Sequence, residues 1–249
     1  LQARRRVLLA MAECWHWSAT HVGSEEAGDA IYFSIPCPWN WSNVGPLVPH
    51  RIYQVGTFDE ELIGDHTLLD QWKSQDAGLV VWHGHGDFEA SQFHKDPTKP
   101  SSWGANKITR TTIDVDAILG PDPLDPTYSR AFVTSCSCSN ASPWDDLAIA
   151  SNTLLKHLLQ EAAIGALLNT GLCIGYRLRD DNIGSKCWAD DIMVSNVRRL
   201  CNGWSLSFSL KKTRERGDYS GTGINCGIYA QNLLVANAFG DPASFYKYQ

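Results

Sequence analysis

The feature of this sequence that most constrains its fold is a series of short apolar runs separated by segments with helical periodicity. Residues 77–82 (AGLVVW), 130–138 (RAFVTSCSC) and 163–169 (AIGALLN) are runs of this kind. Short continuous apolar runs are typical of strands that are buried on both faces. Strands of this type that alternate with helices predict an α/β fold, with a mostly parallel sheet covered by helices on both faces.

The remaining segments complete this predicted α/β pattern. Residues 30–35 and 51–56 are predicted to be strands, and residues 1–17 an amphipathic first helix. Residues 94–128 contain five prolines and are predicted to form a long excursion between two core strands. Apolar spacing predicts helices in five further segments: residues 59–74, 147–158, 185–201, 203–215 and 225–238.

Length and charge limit the class of protein. The 249 residues, 43% of them hydrophobic, are consistent with a single domain over residues 1–249, either complete or a fragment of a longer precursor. Twenty-one basic against 27 acidic residues give a net charge of −6, which argues against a general nucleic-acid binder. No apolar stretch approaches the roughly 18 residues that a membrane helix needs, so no membrane span is expected.

Chemically reactive side chains follow two of the predicted core strands. The segment 83–87 reads His-Gly-His-Gly-Asp, and the segment 136–140 reads Cys-Ser-Cys-Ser-Asn. Because the carboxyl ends of parallel strands meet at one edge of a sheet, we expect these two segments to lie close together. A thiol beside an imidazole is the minimum set for nucleophilic acyl transfer, since the imidazole can activate the thiol and protonate the leaving group.

These two segments resemble the active-site strands of the caspase–legumain–gingipain superfamily of cysteine peptidases. In that group a hydrophobic strand ends in His-Gly, and the next core strand ends in Ala-Cys or Ser-Cys. The gingipain-type branch often has Gly-His-Gly at the first site, as in residues 84–86, and a closing helix that leads into Gly-Asp-Pro, as in residues 240–242. The resemblance covers roughly residues 76–242. It implies a caspase-like three-layer sandwich and a cysteine endopeptidase that acts on protein or peptide substrates.

The length of each strand decides which residues are predicted to be catalytic. The strand length typical of the family favours His85 over His83. Counting back from Cys138 places Arg130 at the mouth of its strand. Counting from Cys136 would place this charge inside the sheet, which is costly for an unpaired charge. We therefore predict a dyad of His85 and Cys138, with Cys136 as the alternative nucleophile.

The resemblance also implies a mechanism through a thioacyl-enzyme. Cys138 would attack the peptide carbonyl, and His85 would protonate the leaving amine and later activate water. The backbone N–H groups of Gly86 and Cys138 would form the oxyanion hole. The family usually has a glycine shortly after the nucleophile; Asn140, which tolerates the left-handed conformation, is expected to take its place here.

Specificity and ion binding are further implications of the resemblance. Gingipain relatives cleave after Arg or Lys, which requires a buried carboxylate, and the candidates are Asp87, Asp180 and Asp181. Trp82 is a candidate for the wall of a substrate subsite. Catalysis in this superfamily requires no cofactor. Some relatives hold structural calcium, which the Asp-rich segment 114–125 could bind here.

Two alternatives to the peptidase hypothesis remain open at this point. His83 and His85 together with Cys136 and Cys138 offer two nitrogen and two sulfur ligands, which is a plausible tetrahedral zinc set. The second alternative is a catalytically inactive relative that keeps the fold and serves as a binding module. Of the other cysteines, Cys173 is expected to be a buried hydrophobic residue.

Overall fold

A computed structural model describes thirteen parts of the chain: residues 6–12, 24–35, 47–54, 68, 71–72, 77–87, 90–93, 106–109, 130–142, 153–159, 163–173, 189–215 and 224–244. The strands in these parts are β1 (Arg6–Ala12), β2 (Val48–Gln54), β3 (Ala77–His83), β4 (His85–Gly86), β5 (Ala90–Phe93), β6 (Asn106–Thr109), β7 (Ala131–Cys136), β8 (Ala163–Asn169) and β9 (Ala236–Gly240). The helices are α1 (Ser24–Tyr32), α2 (Leu154–His157), α3 (Ala189–Cys201), α4 (Leu206–Glu215) and α5 (Ile224–Val235).

The main sheet has six strands in the order β2-β1-β3-β7-β8-β9. The first five run parallel to their neighbours, and β9 is antiparallel to β8. A second, three-stranded antiparallel sheet is formed by β4, β5 and β6. Along the chain these three strands lie between β3 and β7, so the small sheet begins directly where β3 ends.

Alternate residues of the central strands enter two separate hydrophobic cores, because successive side chains of a strand point to opposite faces. In β3, Leu79 and Val81 join the core under α1, α3, α4 and α5, whereas Val80 and Trp82 join the core that contains Leu154 of α2. Burial on both faces explains why these strands read as continuous apolar runs. The predicted α/β sandwich with a mostly parallel sheet and helices on both faces is therefore confirmed.

Two predicted elements near the N-terminus have the wrong type. The segment predicted as a first helix over residues 1–17 contains β1, and Val7 to Met11 are buried between two neighbouring strands. The strand predicted at 30–35 overlaps α1, where Ala27 and Ile31 lie one turn apart and pack into the core. Short apolar runs fit both types of element, and only packing partners separate them.

The predicted elements in the rest of the chain agree with the structure where it describes them. Strand β2 covers most of 51–56, and α3, α4 and α5 occupy the three C-terminal helix segments, although residues 236–238 belong to β9. Of the predicted helix 59–74, residues 68, 71 and 72 are described and are helical. None of the helices in the described parts is long and apolar enough to cross a membrane.

Candidate active site

The two reactive segments lie on neighbouring strands of the main sheet. Strands β3 and β7 are parallel, and the last pair in their register joins His83 to Cys136. The backbone N–H of Gly84 donates to the carbonyl of Cys136 at 3.5 Å, which extends the pairing by one step. His85 and Cys138 each stand two residues beyond the His83–Cys136 pair, at the same carboxyl edge of the sheet.

A tight hairpin follows His85 and is closed by Asp87. His85 pairs with Gln92 and Gly86 with Ser91 in the antiparallel ladder between β4 and β5. The N–H of Asp87 donates to the carbonyl of Ala90 at 3.0 Å, and Asp87 Oδ1 accepts the Ala90 N–H at 2.8 Å. The carboxylate of Asp87, a predicted specificity residue, therefore holds the turn of this hairpin.

Gly86 brings the hairpin into direct contact with the turn after β7. A Cβ atom on Gly86 would lie 2.5 Å from the carbonyl oxygen of Cys138 and 2.6 Å from Nδ2 of Asn140. Side-chain carbons do not approach backbone oxygens this closely, so the contact requires a residue without Cβ. The absence of a side chain at Gly86 thus lets the segment after His85 pack against the backbone of Cys138.

We expect Gly86→Ala to lower the free energy of unfolding by about 2–3 kcal/mol, because the methyl group would overlap backbone and amide atoms that have little room to move. Chemical denaturation measures this change. Gly171→Ala is the matched control, since its Cβ would meet a single side-chain methyl group, of Val235 at 3.1 Å, and no backbone atom within 4 Å. Equal losses in the two variants would show that the contact between Gly86 and the β7 turn is loose.

The thiol of Cys138 lies against Cys173, which follows strand β8. Cys138 Sγ donates to the carbonyl of Cys173 at 3.3 Å, and the N–H of Cys173 donates back to Cys138 Sγ at 3.4 Å. The two Sγ atoms are 3.7 Å apart. The hydrogen bond to the Cys173 thiol and burial raise the pKa of Cys138 well above its usual range, and His83 acts in the opposite direction.

Cys173 is the site residue that the sequence analysis missed. It was expected to be a buried hydrophobic residue, but it is half-buried and in contact with Cys138. Asn169 Nδ2 at the end of β8 donates to Cys173 Sγ at 3.2 Å and to the carbonyl of Ser137 at 3.1 Å. The signal that was available is position: residue 173 follows the next core strand, whose carboxyl end meets the same edge.

The turn after β7 takes its left-handed residue at a different place from the one expected. Ser139 has φ = 54°, whereas Asn140 was the predicted position. The N–H of Ser139 donates to the carbonyl of Gly171, and that of Ala141 to the carbonyl of Asn169, each at 2.9 Å. These two bonds attach the turn to the end of β8. The left-handed residue of the turn is therefore Ser139, directly after Cys138.

Asn140 has a structural role instead, as the centre of a buried hydrogen-bond network. Its Nδ2 donates to the carbonyls of Asp87 at 2.8 Å and Ala90 at 2.9 Å. Its Oδ1 accepts from the hydroxyls of Ser91 at 2.6 Å and Ser135 at 3.3 Å. One fully buried amide thus attaches the β4–β5 hairpin to the turn that carries Cys138.

Burial separates the candidate site residues. Cys136 is 3% and His83 1% exposed, whereas Cys138 and His85 are half-buried. Trp82 is fully buried, and its Nε1 donates to Ser91 Oγ at 2.8 Å. The prediction that Trp82 lines a substrate subsite is therefore wrong for this structure, because its ring packs in the core on one face of the sheet.

Other predicted ligand residues receive little support. The described parts of the chain contain no group of three or more His, Cys, Asp or Glu side chains that could hold a metal ion. The zinc alternative built on the two histidines and two cysteines is thus not favoured by the geometry. Asp180, Asp181 and the predicted calcium segment 114–125 lie outside the described residues.

Comparison of the chain with models of known protein families, and with curated proteins, gives no match. A functional assignment therefore depends on the geometry at the carboxyl edge of the sheet. The residues that this geometry brings together are His85, Gly86, Cys138, Asn140 and Cys173.

Proposed function

We propose that this protein is a cysteine endopeptidase in which Cys138 is the nucleophile and His85 the acid–base group. One observation carries the proposal: both residues stand two positions beyond the last paired residues of adjacent parallel strands. They are therefore at one edge of the sheet, and both are half-buried, so that a peptide carbonyl can reach them. The contact of Gly86 with the Cys138 carbonyl supports this juxtaposition.

The general architecture of the fold, a mostly parallel sheet between helices, supports a caspase-like assignment. A mostly parallel six-stranded sheet with helices on both faces is what the resemblance implies, and the His-Gly and Ser-Cys segments follow neighbouring strands. Ligands of open α/β sheets bind at the carboxyl ends of the strands, which is where both segments lie. The proposed class is a gingipain-type peptidase of the caspase superfamily.

In the proposed reaction Cys138 Sγ, after giving its proton to His85, attacks the carbonyl carbon of the peptide bond. The backbone N–H groups of Gly86 and Cys138 stabilise the resulting oxyanion. His85 then donates the proton to the leaving amine, and the C–N bond breaks to give a thioacyl-enzyme. Water, deprotonated by His85, attacks this thioester and releases the carboxylic acid and the free thiol.

The contact with Cys173 places a requirement on this mechanism. While Cys138 donates to the Cys173 carbonyl, its thiol is not available to an imidazole. The hydrogen bond to the Cys173 thiol and burial raise the pKa of Cys138, so the thiol is protonated at neutral pH. Substrate binding must therefore turn the Cys138 side chain away from Cys173 before proton transfer to His85 takes place.

Cleavage after Arg or Lys belongs to the same proposal. A cationic side chain requires a carboxylate in its pocket, and Asp87 is the candidate among the described residues. Asp180 and Asp181 are the other two candidates. A library of peptides that differ at the residue before the scissile bond tests this preference directly.

The decisive experiment is labelling of the reduced protein with a thiol-reactive peptidyl ketone, followed by peptide mapping and by cleavage of the peptide library. We expect the label on Cys138 and cleavage of library peptides. The absence of both labelling and cleavage would contradict the endopeptidase proposal and support an inactive module with this fold. Labelling of Cys136 in place of Cys138 would show that Cys138 is not the nucleophile.

We expect His85→Ala to lower kcat/KM by about a hundredfold or more, because the leaving amine loses its proton donor. His83→Ala is the matched control: this imidazole is buried on the strand next to Cys136, and its charge lowers the pKa of Cys138, so we expect a smaller loss of kcat/KM than in His85→Ala. A pH profile of kcat/KM for both variants makes the comparison. A larger loss in His83→Ala than in His85→Ala would transfer the acid–base role to His83.

A further inference from the structure

The thiol of Cys173 lies against the thiol of Cys138, the candidate nucleophile, although the two residues are 35 positions apart in the chain. Their Sγ atoms are 3.7 Å apart, and both side chains are half-buried. Backbone hydrogen bonds from Ser139 to Gly171 and from Ala141 to Asn169 hold the segment after Cys138 against the segment before Cys173. The proximity is thus built into the connection between the β7 turn and the end of β8.

We propose that Cys138 and Cys173 form a reversible disulfide when the protein meets a peroxide. The thiolate of Cys138 or Cys173 attacks the O–O bond of hydrogen peroxide and becomes a sulfenic acid, with release of hydroxide. The second thiolate attacks this sulfur, and the S–O bond breaks with loss of a second hydroxide. The two protons released by the thiols convert both hydroxides into water, so two thiols and one peroxide give one disulfide and two waters.

Little movement is required for this bond to form. The distance between the two Sγ atoms must fall from 3.7 Å to about 2 Å, which requires rotation of the two side chains. Asn169 Nδ2 donates to Cys173 Sγ and orients this thiol at the same edge as Cys138. The high pKa of Cys138 slows the first step at neutral pH, so the rate of oxidation rises with pH.

The other described cysteines are poorly placed for the reaction. Cys136 lies on strand β7 and is 3% exposed within the apolar core. Cys201 at the end of α3 is completely buried, and burial raises its pKa to about 12. Among the four cysteines whose side chains the structure describes, we therefore expect oxidation at moderate peroxide concentration to select the half-buried pair.

The consequence for catalysis rests on the proposed function. If Cys138 is the nucleophile, the disulfide removes its free thiol and the oxidised protein does not cleave peptides. Reduction by a dithiol regenerates both thiols and restores cleavage. The disulfide itself is independent of any catalytic role, so the two ideas can be tested separately.

The test is peroxide treatment of the full chain, blocking of remaining thiols by alkylation, and mapping of disulfide-linked peptides under non-reducing conditions. We expect a linked peptide pair that contains Cys138 and Cys173, and its disappearance after treatment with dithiothreitol. Cys201→Ala should give the same linked pair, and Cys173→Ala should not. Overoxidation of Cys138 to sulfinic acid in the wild type, or no linked pair at all, would overturn the inference.

The cleavage assay on the same samples separates this inference from the proposed function. Peroxide should abolish cleavage by the wild type reversibly, whereas Cys173→Ala should lose cleavage without recovery on reduction, because its sulfenic acid has no thiol partner and is oxidised further. If the reduced wild type never cleaves peptides but the linked pair forms, the peptidase proposal fails and the disulfide inference stands. If peroxide leaves wild-type cleavage unchanged while the pair is linked, inhibition by this bond is refuted.

Discussion

Cys138→Ala is expected to abolish peptide cleavage, with kcat/KM at least about a thousandfold below that of the wild type. The reason is that no other described thiol combines partial exposure with a place beside the hairpin that carries His85. Without this sulfur no thioacyl-enzyme can form, and only binding and oxyanion stabilisation remain. The measurement is steady-state cleavage of the best library peptide by reduced protein, together with a burst experiment on the wild type to detect the thioacyl-enzyme.

Cys136→Ala is the matched control for this experiment. Cys136 is the last residue of β7 and precedes Cys138 by two positions, but its side chain is buried in the hydrophobic core. Truncation there costs some stability, and we expect most of the cleavage activity to remain when the assay is run well below the unfolding transition. Full activity of Cys138→Ala with inactive Cys136→Ala would reverse the assignment of the nucleophile. The thermal midpoint of each variant shows whether loss of activity is merely loss of fold.

Asn140→Ala is expected to lower the free energy of unfolding by about 3 kcal/mol, the largest stability effect that we predict for a single side chain at the site. The amide is fully buried and makes four hydrogen bonds, two as donor and two as acceptor. Its removal leaves the carbonyl of Ala90 and the hydroxyl of Ser91 without this partner, and both residues are buried. Urea denaturation of the variant and the wild type gives the difference.

Asn140→Asp probes the same network with nearly the same side-chain volume. At neutral pH its carboxylate would face the carbonyl oxygens of Asp87 and Ala90, and repulsion together with burial would raise the pKa of the introduced group. A raised pKa means that stability is lost as pH rises, so the variant should approach the wild type on acidification. Asn202→Ala at an exposed position is the control and should cost less than about 1 kcal/mol. A similar loss at both sites would contradict the role assigned to Asn140.

The spacing of apolar residues in the sequence was sufficient to predict the central strands and the C-terminal helices. Strands β3, β7 and β8 are continuous apolar runs because both of their faces are covered, and this burial is visible in the residue types alone. The type of the N-terminal elements was not predictable in this way. The six apolar residues of β1 fit a helix or a strand equally well, and the pairing with β2 and β3 decides between the two.

The placement of the two reactive segments could also be argued before the structure, since parallel strands bring their carboxyl ends to one edge. The identity of the residues around Cys138 could not. Cys173, Asp87 and Ser91 are 35 to 53 positions from the residues that they contact in the β7 turn, and no local periodicity links them. Trp82 likewise has the residue type of a binding-site wall, and only its burial excludes it.

The sequence by itself determined the period of burial along each strand, and with it the kind of sheet and the positions of the thiols and imidazoles at strand ends. The tertiary structure alone decided which strands are neighbours, and therefore which thiol contacts Cys138 and which amide satisfies the hairpin carbonyls. The physical reason is that burial is a property of each residue along its own strand. A hydrogen bond or a sulfur contact depends on two segments whose distance is set by the packing of all the strands between them.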